Sequence, residues 1–170
     1  CTAREMYDAI MNDWQGYEWL REKAKNEVSH YGNGDARADE AAQWIARVWC
    51  GSLGKYTGPR GGYKAGLWSI ARHVADGPVT NATPDGRRRG DVLSDGISPV
   101  QGMDKNGPTA LLRSVASINH GACRNGTLLN MRFHPSAMQT QEDRRKLIAM
   151  LRTYFAMGGM EVQLNIVSTD

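Results

Sequence analysis

Three histidines, a small set of cysteines and one cation–aromatic pair are the side chains in this 170-residue chain that could do chemistry. His73, His120 and His134 fall on or beside expected strand ends, where general acid–base groups are often found. No carboxylate stands at a diagnostic spacing from any of them, so a hydrogen-bonded structural histidine is the simpler reading of each. Cys123 in HGACRNG precedes an apolar run and could be read as a nucleophile, but no local signature accompanies it. Lys64 and Trp68 are more suggestive. If the backbone is extended from residue 64, the two share one face, and a cation beside an aromatic suits an anionic group on a small substrate. An exposed loop lysine beside a core tryptophan is the competing interpretation. The triple arginine at 87–89 reads as a solvated turn, with a phosphate or subunit contact as the alternative.

Several function classes are disfavoured. There is no GxxxxGK[ST], and no GxGxxG that follows a strand and opens a helix, so nucleotide binding has little support. The net charge of +3 is mild and the basic residues are dispersed, which argues against a nucleic-acid surface. Three widely spaced cysteines, with no CxxC and no metal-type spacing to histidine, suggest a reducing compartment, no disulfide framework and no metal site. No apolar run reaches the ~18 residues a membrane span needs, and the expected location is cytoplasmic.

The elements that must position these groups fall into three stretches. Residues 1–50 read as helical: Thr2 with Glu5 forms a capping box, Asp13 can cap a second helix, and the stripe Ala38, Ala42, Ile45, Val48, Trp49 marks a third that ends near Cys50, a small buried hydrophobe. Residues 51–66 carry too many glycines for a regular element and read as a loop or a close backbone approach. From residue 67 the expectation is α/β. The segments 67–74, 127–133 and 162–168 read as strands, and 140–157 as a helix stopped by Gly158 and Gly159. Pro108 after Gly107 opens another helix, and TPDG at 83–86 is a turn. Strands alternating with helices imply a largely parallel sheet. Three strands cannot close a barrel, so the sheet expects more chain than ends at Asp170.

The order of motifs TPDGR (83–87), DGISP (95–99), GPTA (107–110) and NGTLLN (125–130) resembles the glycyl radical enzymes, the pyruvate formate-lyase-like superfamily. NDWQGY (12–17), YGN (31–33), the helix ending in Tyr154 and Phe155, and VQLN (162–165) fall in the same order, and NGTLLN is similar to the eliminase and decarboxylase branches. The resemblance implies that residues 1–170 are a C-terminal part of a ten-stranded α/β barrel of the pyruvate formate-lyase type. The parent would be a glycyl radical lyase that breaks a C–C or C–heteroatom bond of a small polar substrate (a sulfonate or carboxylate in one reading), after a thiyl radical removes a hydrogen atom. A diol dehydratase or a non-catalytic structural fragment is the alternative.

The loop with the thiyl cysteine and the RVxGY-type radical motif are both missing from this sequence, and neither Cys50 nor Cys123 matches the catalytic cysteine. No catalytic residue is therefore expected within the chain. The resemblance places Lys64, Trp68, Leu129 and Met131 against substrate. It also implies a glycyl radical installed by a radical-SAM activase, with no cofactor on this segment. The remaining expectations are an activase and the rest of the barrel as partners, a homodimer, and an anaerobic cytoplasm, with packaging in a microcompartment left open.

Overall fold

A computed structural model describes residues 1–168; Asp170, where the sheet was expected to break off, lies outside them. Along the chain come α1 (Ala3–Met11), α2 (Glu18–Asn26), α3 (Ala36–Leu53), a hairpin of β1 (Thr57–Gly58) and β2 (Gly61–Gly62), α4 (Arg72–Asp76), α5 (Gly107–Ala116), β3 (Leu128–Phe133), α6 (Gln141–Ala156) and β4 (Glu161–Ile166). These pack as two units: Cys1–Ser29 with Ser69–Ser94, and His30–Trp68 with the chain from Asp95 onward.

The first unit starts with the expected capping box: the Thr2 hydroxyl accepts from the Glu5 amide at 3.1 Å, and the Glu5 carboxylate accepts from the Thr2 amide at 2.7 Å. Asp13 does not cap α2. Asp13 and Trp14 instead adopt left-handed φ of 51° and 65°, and the helix begins only after Tyr17. Such backbone costs ~1–3 kcal/mol per residue, and burial offsets it. The turn drives Trp14 fully into a core of Ala9, Leu20, Ala24 and Ala82, where its indole N–H donates to the Arg87 carbonyl at 3.1 Å. Asp13 accepts from the Arg89 amide at 2.8 Å instead. The TPDG turn forms, with the Gly86 amide bonded to the Thr83 carbonyl at 3.1 Å and Gly86 at φ 94°. Arg87, at its end, is buried rather than solvated, and its guanidinium donates to the carbonyls of Thr80, Asn81, Arg88 and Asp91.

The expected strand at 67–74 does not form. Only Leu67 bridges a neighbour; Ile70 turns left-handed at φ 49° and α4 follows. Trp68, Ile70 and Arg72 fit alternation, but Leu67, Ile70 and Val74 fit helical spacing as well. Local bonds decide between them: the Arg72 amide reaches the Ser69 carbonyl at 2.8 Å. The boundary between the two units falls here, between Trp68 and Ser69.

In the second unit β3 and β4 are parallel, paired Leu129 with Val162 and Met131 with Leu164, joined through α6 in the expected order. The other edge of β3 takes a parallel bridge from Leu67 and an antiparallel one from Gly96. The glycine-rich 51–66 stretch is less irregular than its composition suggests, since α3 runs on to Leu53 and the β1–β2 hairpin fills part of it. α5 opens at Gly107–Pro108 as expected. α6 is capped by Thr140 and Asp143 and ends at Gly158, φ 98°. Leu111, Leu112 and Val115 of α5, Tyr154 of α6, and Leu129 and Met131 of β3 form the core, with Phe133 and Val162 against it.

Candidate functional site

Three of the stretches that carry the family resemblance, 95–99, 107–110 and 125–130, meet at one cavity of about 480 Å³ in the second unit. Its walls are the 95–104 loop, the opening turn of α5 at Gly107 and Pro108, and the later residues of β3. That size lies within the ~300–1,000 Å³ usual for small-molecule sites.

Local chemistry explains how each stretch is held. Gly96 runs beside β3 at φ 60°, where a Cβ would stand 2.4 Å from the Leu128 carbonyl, so only glycine lets the loop approach. One bond later the strand pairing is replaced by a side chain: Ser98 Oγ accepts from the Asn130 amide at 3.0 Å and donates to the Asn130 carbonyl at 3.3 Å. The Asn130 amide group then donates to the Asp95 carboxylate at 2.5 Å. The YGN stretch fastens the loop from behind. The Tyr31 hydroxyl donates to the Ile97 carbonyl at 3.2 Å, and Gly32, at φ 97°, packs so closely on Pro99 that a Cβ would lie 2.3 Å from it. Asn33 donates to the Met103 carbonyl at 2.5 Å and accepts from the Asn106 amide at 3.0 Å, fixing the entry to α5. Burial pushes the Tyr31 phenol pKa upward, with the nearby Asp39 charge adding to the effect, so this hydroxyl stays a donor.

The cavity lining is polar where it can bond a ligand and apolar where it must exclude water. Asp95, Asp104, Ser98, Gln101, Asn130 and Arg132 supply carboxylate, hydroxyl, amide and guanidinium groups; Leu111, Met131 and Phe133 supply apolar surface. Such a set can hold a small molecule rich in hydroxyls, with Arg132 available to a negatively charged group. Among the described residues no cluster of three or more His, Cys, Asp or Glu is arranged to bind a metal ion.

Of the four substrate contacts expected from sequence, Met131 lines this cavity. Leu129 does not: it is 0% exposed, within the core. Lys64 is exposed and Trp68 is 42% exposed, and neither is among the cavity's lining residues. The strand that would have aligned them is reduced to the Leu67 bridge. Trp68 instead lies over Gly66, where a Cβ would meet its indole nitrogen at 2.5 Å, and it donates to the Asn125 carbonyl at 2.9 Å. The histidines take local roles. His73 pairs with Ser69 Oγ at 3.2 Å and His134 with Ser136 Oγ at 2.7 Å. His120 is buried between the Thr127 hydroxyl at 2.8 Å and the Val115 carbonyl at 2.9 Å. Burial holds its pKa below the usual imidazole range. Asn130 and Arg132 were legible as the polar half of an alternating strand, but that pattern shows a wet face without saying what wets it.

Residues 1–77 match a family model described as "Pyruvate formate lyase-like", and residues 93–170 match one described as "Glycine radical". A (2S)-3-sulfopropanediol dehydratase from Klebsiella oxytoca is 36% identical over 99% of this chain and 21% of its own length. A trans-4-hydroxy-L-proline dehydratase from Clostridioides difficile is 35% identical over 93% of this chain and 20% of its own length. The glycerol-bound form of the B12-independent glycerol dehydratase from Clostridium butyricum superposes with a TM-score of 0.94 at 38% identity, covering 99% of this chain and 21% of that one. The chain thus spans about a fifth of the length of the relatives it matches.

Proposed function

Because this chain belongs to the glycyl radical enzyme superfamily, we propose that it forms part of the substrate chamber of a lyase that eliminates a group from a small polar molecule. The observation that carries this reading is the meeting of the 95–99, 107–110 and 125–130 stretches, braced from behind by 31–33, at one cavity with a mixed polar and apolar lining. Asp95, Ser98 and Asn130 bond one another and hold the loop to β3, while Gln101 and Arg132 also line the open space.

In this reading the radical glycine and the thiyl cysteine stand on other loops of the parent protein, and a radical-SAM activase installs the radical. The residues described here bind, orient and shield. Ser98, Gln101 and Asn130 offer hydrogen bonds to substrate hydroxyls, while Met131 and Phe133 keep water from the reacting carbon. Leu129 acts from beneath by holding Met131 in place. Lys64 and Trp68, which do not line this cavity, are proposed as a separate contact for an anionic group.

The named relatives act on a sulfonate-bearing diol, on a hydroxylated amino acid and on glycerol. Together they favour loss of a hydroxyl group as water, and two of the three carry an anion. Anaerobic activation of the full-length protein, followed by a panel of diols, hydroxysulfonates and hydroxycarboxylates, tests the proposal. Elimination from at least one class is expected. Formation of the protein radical with no turnover of any class would contradict it.

A further inference from the structure

Cys50 and Cys123 are 73 residues apart in sequence, yet their sulfurs stand 3.4 Å from each other within the second unit. Cys50 lies in the last turn of α3 and is half-buried; Cys123 follows a short 3-10 turn at His120–Ala122 and is fully buried. Both are free thiols in the structure. A disulfide needs the sulfurs at about 2.05 Å, so closing the pair asks for a movement of ~1.4 Å.

We infer that Cys50 and Cys123 form a redox-active dithiol that closes to a disulfide when the protein meets a peroxide. The more exposed Cys50 reacts first. Its thiolate attacks one peroxide oxygen, the O–O bond breaks with loss of hydroxide, and the sulfur becomes a sulfenic acid. Cys123 then attacks that sulfur, its proton leaves with the departing hydroxide as water, and the S–S bond forms. In total two thiols and one hydrogen peroxide yield one disulfide and two waters. The order of attack follows the surroundings. Burial and the neighbouring Cys50 push the Cys123 thiol pKa up to about 12, which suits a resolving group better than a first nucleophile.

The site of closure gives the bond a consequence. The loop after Cys123 anchors the strand edge: the Asn125 carbonyl holds the Trp68 indole at 2.9 Å, the Asn125 amide donates to the Ala65 carbonyl at 2.8 Å, and the Gly126 carbonyl accepts from the Leu67 amide at 2.9 Å. A disulfide would tie the end of α3 to this loop and stiffen the 65–68 segment. Oxidation would then act on the Lys64–Trp68 contact without touching the radical residues.

The test uses the full-length protein purified anaerobically, exposed to hydrogen peroxide without denaturant, then denatured and alkylated with N-ethylmaleimide so that the buried Cys123 is reached, and digested without reductant for mass spectrometry. A peptide pair joined through Cys50 and Cys123 is expected, with loss of alkylation at both positions and its recovery after dithiothreitol. Hydrogen exchange across residues 63–68 should slow in the oxidised form. Cys50→Ser should abolish the linked pair and the exchange change. Recovery of Cys50 as a sulfinic or sulfonic acid with Cys123 still alkylatable, or a disulfide from either residue to any other cysteine, would overturn the inference.

Discussion

The two faces of the β3–β4 pair are built from the same twelve residues in alternation, and they answer to different demands. One face presents Leu129, Met131 and Phe133 beside Val162, Leu164 and Ile166; the other presents Leu128, Asn130 and Arg132 beside Glu161, Gln163 and Asn165. Leu129, Met131, Phe133 and Val162 of the apolar face meet α5 and α6 in the core, while Leu164 and Ile166 stay exposed. The polar face carries a chain of amides, in which Asn130 donates to Asp95 at 2.5 Å and accepts from Asn165 at 3.5 Å. A sheet covered on both sides would repeat Val, Ile and Leu on both faces. Apart from Leu128 this one does not, and its second face borders the cavity at Asn130 and Arg132, where Met131 and Phe133 reach the same space.

The comparison can be broken by mutation, starting with the apolar face. Leu129→Ala removes a fully buried side chain from the centre of the core and should destabilise the protein by about 3 kcal/mol in urea unfolding. A loss well under 1 kcal/mol would mean this face is not the anchor. Asn130→Ala should cost less, about 1–2 kcal/mol, because it removes bonds to Asp95 and Asn165 in a part-solvated setting. Equal costs at 129 and 130 would erase the asymmetry.

Thr140→Ala takes away the cap of α6, one of the two helices on the apolar face, and should cost about 1 kcal/mol with little effect on ligand binding. The shallowest effect is a pH dependence. His120 accepts from Thr127 and donates to Val115 in its neutral form, and its folded pKa lies below the unfolded value of 6.5. The unfolded chain therefore takes up the proton first. The contribution of His120 is complete above pH ~6.5 and declines as pH falls through and below that value. His120→Gln should flatten this part of the stability–pH curve, which chemical denaturation at several pH values would report.

Much of this arrangement could be read before any coordinates. The capping box at Thr2, the opening of α5 at Pro108 and the stop at Gly158 are set by neighbours within a few residues and appear as expected, as does the longer-range β3–α6–β4 order that the alternation of element types implied. What escaped depends on partners far along the chain. Trp14 turns left-handed because a core containing Ala82 receives it, and Arg87 is buried because four loop carbonyls need a donor. The 67–74 segment satisfies the strand and helix templates equally, so only its surroundings could choose. For the site, the resemblance offered Leu129 and Met131 alike without saying that both are core residues and that Met131 alone of the two also lines the cavity. The meeting of Cys50 with Cys123 left no trace in spacing at all.

The kinetic effect of Arg132→Met in the activated full-length protein addresses the chamber-wall reading most directly. Arg132 is exposed, lines the cavity and lies outside the apolar core, so the substitution should leave the unfolding midpoint unchanged. If the polar face meets the substrate, KM for a hydroxysulfonate or hydroxycarboxylate should rise at least ~10-fold, as expected for loss of a charge-assisted contact of about 1.4 kcal/mol or more. Unchanged kcat and KM in a stably folded variant would contradict the account.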